Sequence, residues 1–121
     1  MKTITNYIQE KLNLSNGIIK PKDKDELIKI IEERLDKDKD ANLNDIDVSG
    51  ITDMFNLFLD LDPHNIDISE WDVSNVKDMT MMFCDSNFNN DISNWDVSNV
   101  KDMDYIFVEC PIKEEYIPKM L

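Results

Sequence analysis

The chain has 121 residues, 41% of them hydrophobic, and sets 13 basic against 26 acidic side chains for a net charge of −13. That length fits one domain, or a small cap plus one repeat array. The acidity argues against direct binding to nucleic-acid phosphates, and no apolar run approaches the roughly 20 residues that span a bilayer. Met1 to Tyr7 lacks the apolar stretch of a secretion signal, so the expected compartment is the cytoplasm.

From the N-terminus, Ile4, Tyr7, Ile8 and Leu12 have the spacing of a short helix over residues 3–12. A turn at Asn16-Gly17 and an extended Ile18-Ile19-Lys20-Pro21 follow. Asp25 to Leu35 is predicted as an amphipathic helix with Leu27, Ile28, Ile31 and Leu35 on one face, capped by Asp23 or Asp25. Residues 1–40 balance nine basic side chains against nine acidic ones and are expected to form an N-terminal helical cap. After the helix, Asp36, Asp38, Asp40, Asn42 and a closing Asp47 match most of an EF-hand calcium loop. Ala41 stands where that loop needs glycine, and a solvated charge run is the competing reading.

Beyond this point the chain repeats itself. The thirteen residues Asp67 to Met79 return 24 residues later as Asp91 to Met103, differing only where Glu70 becomes Asn94. A third, divergent copy precedes them. Leu43, Ile46, Val48, Ile51, Met54 and Phe58 have the spacing of Ile68, Trp71, Val73, Val76, Met79 and Phe83, and of Ile92, Trp95, Val97, Val100, Met103 and Phe107. Trp71-Asp72-Val73 alternates as a strand does, and Val76, Met79 and Phe83 step as one face of a helix does. The predicted fold is therefore an α/β repeat: repeats at 41–64, 65–86 and 87–110, each a short strand, a turn and a helical turn, with the strands stacked in parallel about 4.8 Å apart. Asn75 and Asn99 are the expected N-caps. The tail 111–121, through Ile112, Tyr116 and Ile117, is expected to close the last repeat. Residues 41–121 hold four lysines against seventeen acids, so the whole net charge sits on the array and tail.

The words Asp-Ile-Ser-x-Trp-Asp-Val-Ser-Asn-Val-Lys-Asp-Met and Phe88-Asn89-Asn90-Asp91-Ile92-Ser93 closely resemble the BspA-type leucine-rich repeat. That repeat is common in surface proteins of mycoplasmas and other bacteria and is found also in phage and large-virus genomes. The resemblance implies a leucine-rich-repeat solenoid that binds proteins or host surfaces, with no enzymatic activity.

Asp47, Asp72 and Asp96 share one repeat position, on the strand face that leucine-rich repeats commonly use for binding. Asn44, Ser69 and Ser93 form a parallel row, as do Asp45, Glu70 and Asn94. Two readings of the aspartates stay open: a docking face for a Lys/Arg-rich protein, or local backbone hydrogen bonding in each turn. Trp71 and Trp95 align with Ile46 and belong to the core. His64 is the only histidine, and Cys84 and Cys110 occupy different repeat positions, so no zinc set, nucleophile or disulfide framework emerges. No catalytic residue and no cofactor is expected. The expected function is a non-enzymatic protein-binding module with an acidic face for a basic partner. The alternatives are a phage- or mobile-element-encoded inhibitor that occludes a nucleic-acid-binding site of a host defence protein, and a calcium-dependent adhesive or structural repeat.

Overall fold

The computed structural model describes residues 18–119. The helix and turn expected within residues 3–17 lie outside the described residues.

Helix α1 spans Lys24–Lys37. Asp23 caps it, its Oδ1 accepting from the Glu26 N–H at 3.0 Å, and Glu26 reaches back to accept from the Lys22 N–H at 2.9 Å. Acids fill the first turn and Arg34 and Lys37 the last, complementing the helix dipole. The buried face is Leu27, Ile30, Ile31 and Leu35; Ile28, expected inside, is only partly buried. Arg34 ties α1 to the first repeat, donating to both Asp45 carboxylate oxygens at 3.0 Å and to the Asn42 carbonyl at 2.8 Å.

The repeats are not the α/β units that their spacing predicts. Among the described residues the other helix is a 3₁₀ turn, Glu114–Tyr116, and extended pairing is limited to isolated parallel bridges, Ile19 with Ile46, Asn42 with Asp67, and Asp53 with Asp78 with Asp102. No sheet forms among the described residues, so a leucine-rich-repeat solenoid of stacked strands and helices is not the architecture they adopt.

The hydrogen bonds give the physical reason. Across the expected strand, Trp71 N–H donates to the Ile68 carbonyl and Val76 N–H to the Val73 carbonyl, so two tight turns consume the donors that a sheet would use. The apolar residues are turned inward three apart by these turns, and Trp71-Asp72-Val73 is only the link between them. Across the expected helix, Met81 and Asp85 have positive φ, 57° each, which ends any α-helix. Asn56 and Asp60 (φ 53° and 63°) and Tyr105 and Glu109 (59° and 56°) repeat this in the other two copies. Local bonds from Met82 to Met79, Cys84 to Met81 and Ser86 to Phe83 alternate there with bonds to the next repeat.

Consecutive repeats are nonetheless in register. Met79, Met81, Phe83 and Asp85 donate to the carbonyls of Asp102, Asp104, Ile106 and Val108 at 2.8–3.0 Å. Inside, one cluster runs from Ile19 to Ile106 and includes Leu43, Ile68 and Ile92 in equivalent places. Its aromatic rings stack by repeat: Phe58 on Phe83 and Phe83 on Phe107 at 5.3 and 5.7 Å, Trp71 on Trp95 at 6.4 Å. Each indole N–H donates to a buried carbonyl of the preceding repeat, Trp71 to Leu43 at 2.9 Å and Trp95 to Ile68 at 3.0 Å. Both tryptophans are thus core residues with a satisfied polar edge.

Candidate functional site

The recurrent polar unit is Asp-x-Ser. Asp47 Oδ1 accepts from the Ser49 N–H at 2.9 Å. Asp72 accepts from the Ser74 N–H at 3.0 Å and hydroxyl at 2.6 Å, and Asp96 does the same with Ser98 at 3.0 and 2.6 Å. Each aspartate is flanked by buried neighbours, Ile46 and Val48, Trp71 and Val73, Trp95 and Val97. The carboxylates are therefore directed outward, with Asp47 half-buried and Asp72 and Asp96 exposed.

These three aspartates form one column. The hydrogen bonds from Ser74 hold the Asp72 carboxyl below its usual pKa, against an upward push from Asp47 and Asp96. Asp47 and Asp96 are lowered in the same way by Ser49 and Ser98. All three are ionised at neutral pH, and among the described residues only the first has a cation near it, Lys20 at 4.0 Å from Asp47. The structure thus shows the local hydrogen bonding of one reading and leaves the second carboxylate oxygen of Asp72 and Asp96 outside the turn.

The other sequence-chosen residues lie in a neighbouring column. Ser69 and Ser93 donate through N–H to Asp67 and Asp91 at 3.0 and 2.9 Å, which makes them turn-closing groups with half-buried side chains. Glu70 and Asn94 are exposed. The Glu70 N–H donates to Asn44 Oδ1, and Asn44 Nδ2 donates to Asp67, at 2.9 and 3.0 Å.

Reading the repeat position of Asp72 alone misses two further aspartate columns, Asp67 with Asp91, and Asp53, Asp78 and Asp102. The signal was present: an acid two residues before a donor recurs as Asp67-x-Ser69, Asp91-x-Ser93 and Asp78-x-Thr80, and Asp78 accepts from the Thr80 N–H at 2.8 Å. Asn75 and Asn99 cap no helix. Their Nδ2 groups donate to the Ser49 and Ser74 carbonyls of the preceding repeat at 2.8 and 2.7 Å.

The side chains expected to form a calcium loop close local turns. α1 continues to Lys37, Asp38 closes a turn with the Asp40 N–H, Asn42 does so with Asn44, and Asp47 serves Ser49. Among the described residues no group of three or more His, Cys, Asp or Glu is placed to hold a metal ion. Cys84 and Cys110 are free thiols, and His64 meets the Asn87 carbonyl at 3.1 Å. Among the described residues no helix is long and apolar enough to cross a membrane.

A stack of turn-built repeats, apolar within and lined outside by hydrogen-bonded aspartate columns, defines a repeat protein. The family model for a Mycoplasma protein of unknown function, DUF285, matches residues 28–116, and the chain belongs to that family. The match takes in most of α1, all three repeats and the 3₁₀ turn. No curated protein and no solved structure matches the chain.

Proposed function

We propose that this chain is a non-enzymatic protein-binding module. Asp47, Asp72 and Asp96, with exposed Glu70 and Asn94 beside them, present an acidic surface to a Lys/Arg-rich partner. The carrying observation is the exposed Asp72 carboxylate, pinned by the Ser74 N–H and hydroxyl at 3.0 and 2.6 Å in one column with Asp47 and Asp96. A rigid row of charge loses little side-chain entropy on binding and accelerates encounter with an oppositely charged surface. The repeat words shared with BspA-type repeats support kinship with that group of binding proteins at the level of sequence, apart from its strand-and-helix architecture. The cytoplasm is the compartment proposed.

The test is affinity capture from the native host at low and high salt. A partner held at low salt and released at high salt is the expected result; capture indifferent to salt would sink the electrostatic docking model.

A further inference from the structure

Each repeat passes a row of backbone donors to the next. The last repeat has the same row, the N–H groups of Met103, Tyr105, Phe107 and Glu109, and among the described residues no acceptor meets them. The carbonyls from Asp102 to Val108 are already used. Those of Met103, Tyr105 and Phe107 accept from Ile106, Val108 and Cys110, while those of Asp102, Asp104, Ile106 and Val108 accept from the second repeat. The edge therefore offers donors two residues apart and asks for a row of carbonyls.

The tail covers the other half of this end. The Tyr116 carbonyl accepts from the Ile92 N–H at 3.0 Å, and the Lys113 N–H donates to Asn89 at 2.9 Å. Over residues 100–109 the core is left incompletely covered. Val76, Met79 and Phe83 are fully buried, but their equivalents Val100, Met103 and Phe107 are only partly so. Tyr105 and Val108 beside them are 66% and 44% exposed. Asp102, Asp104 and Glu109 are exposed on the same stretch.

We propose that residues 100–109 form a docking edge for an extended polypeptide segment of a basic partner protein. The segment gives carbonyls to Met103, Tyr105, Phe107 and Glu109, covers Val100, Met103 and Phe107 with apolar side chains, and sets Lys or Arg against Asp102, Asp104 and Glu109. The equivalent donors of repeat two already pair in register with repeat three, so the same row on repeat three receives the segment as it would a further rung. A second copy does not fit edge to edge, because two donor rows would face each other with no acceptor between two chains of charge −13. This edge is separate from the Asp47, Asp72 and Asp96 column.

The probe is the synthetic peptide KKMKYIFVK, which is Lys101 to Glu109 with its acids changed to lysine. It carries the apolar order that repeat two already pairs with. Amide hydrogen exchange of the full chain, read residue by residue, reports the contact. We expect exchange at Met103, Tyr105, Phe107 and Glu109 to slow at least tenfold with peptide, to recover with salt, and to do so equally in the D47N/D72N/D96N chain. Unchanged exchange at these four amides with millimolar peptide would overturn the proposal, as would protection confined to other residues. Slowing without peptide that grows with protein concentration would overturn it in favour of self-association.

Discussion

Asp72 takes both the N–H and the hydroxyl of Ser74, and this unit recurs at Asp96 with Ser98. The hydrogen bonds favour the ionised carboxylate, so its folded pKa lies below the unfolded value of about 3.9. A depressed carboxylate contributes stability above its unfolded pKa and loses it as pH falls through the folded one. At constant salt we expect the melting temperature to drop as pH falls below about 4. A Ser74→Ala/Ser98→Ala chain should lose less in that window, with the Asp72 and Asp96 pKa values rising toward normal by carbon-detected NMR titration. Unmoved pKa values would remove the hydrogen bonds as the cause. Tyr105 allows a second test. Its left-handed backbone costs a non-glycine residue about 1–2 kcal/mol, and its side chain is 66% exposed, while glycine costs about 0.5–1 kcal/mol in chain entropy. Tyr105→Gly should therefore be neutral or stabilising by up to about 1 kcal/mol, and Tyr105→Val destabilising, in urea melts.

Each repeat is held by its turns and by the groups that bridge to its neighbour. Six aligned apolar positions made the inward direction of most repeat side chains legible in the sequence, and Trp71 and Trp95 are buried as their alignment with Ile46 implies. The cap helix was legible too, because Asp23, a charged first turn and a three-four apolar spacing all point the same way. The backbone between was not. Val76, Met79 and Phe83 have helical spacing, but Met81 and Asp85 adopt positive φ, a conformation that only Asn56, at the first copy's equivalent of Met81, marks with an asparagine. Alternation at Trp71-Asp72-Val73 likewise fits a strand and a turn-to-turn link equally well, and only the pairing of N–H groups separates them. Periodicity thus reported which side chains face inward, and left undecided what the main chain does between them. Trp95→Phe tests the inter-repeat bridge. It leaves the buried Ile68 carbonyl without its 3.0 Å donor, at a cost of about 1–3 kcal/mol, with lost ring area added. We expect a total of about 2–4 kcal/mol by denaturant unfolding; a loss under about 0.5 kcal/mol would show the indole bond to be idle.

Taken together, the chain is asymmetric from end to end. α1 brings cations to the first repeat, Arg34 to Asp45 and Lys24 to Asp53 at 3.0 and 3.4 Å, and closes that end with a buried apolar face. Further along, the aspartate columns gain no comparable partner among the described residues: Asp72 feels Asp47 and Asp96 as its charged neighbours. The excess charge is thus concentrated away from the cap, on the side where Asp72, Asp96 and the open edge lie. Such a field is screened within about 8 Å at physiological salt, so its effect on binding is greatest for groups in direct apposition. Asparagine keeps the Oδ1 that closes each turn and replaces the other carboxylate oxygen with a neutral NH2 group, so D47N/D72N/D96N separates docking from folding. The most direct measurement is the affinity of this variant and of the natural chain for the captured partner, across a salt series. We expect the variant to fold alike, to bind at least ~10-fold more weakly at low salt, and to show a shallower salt dependence. Equal affinity and equal salt dependence in a normally folded variant would contradict the acidic column as the binding face.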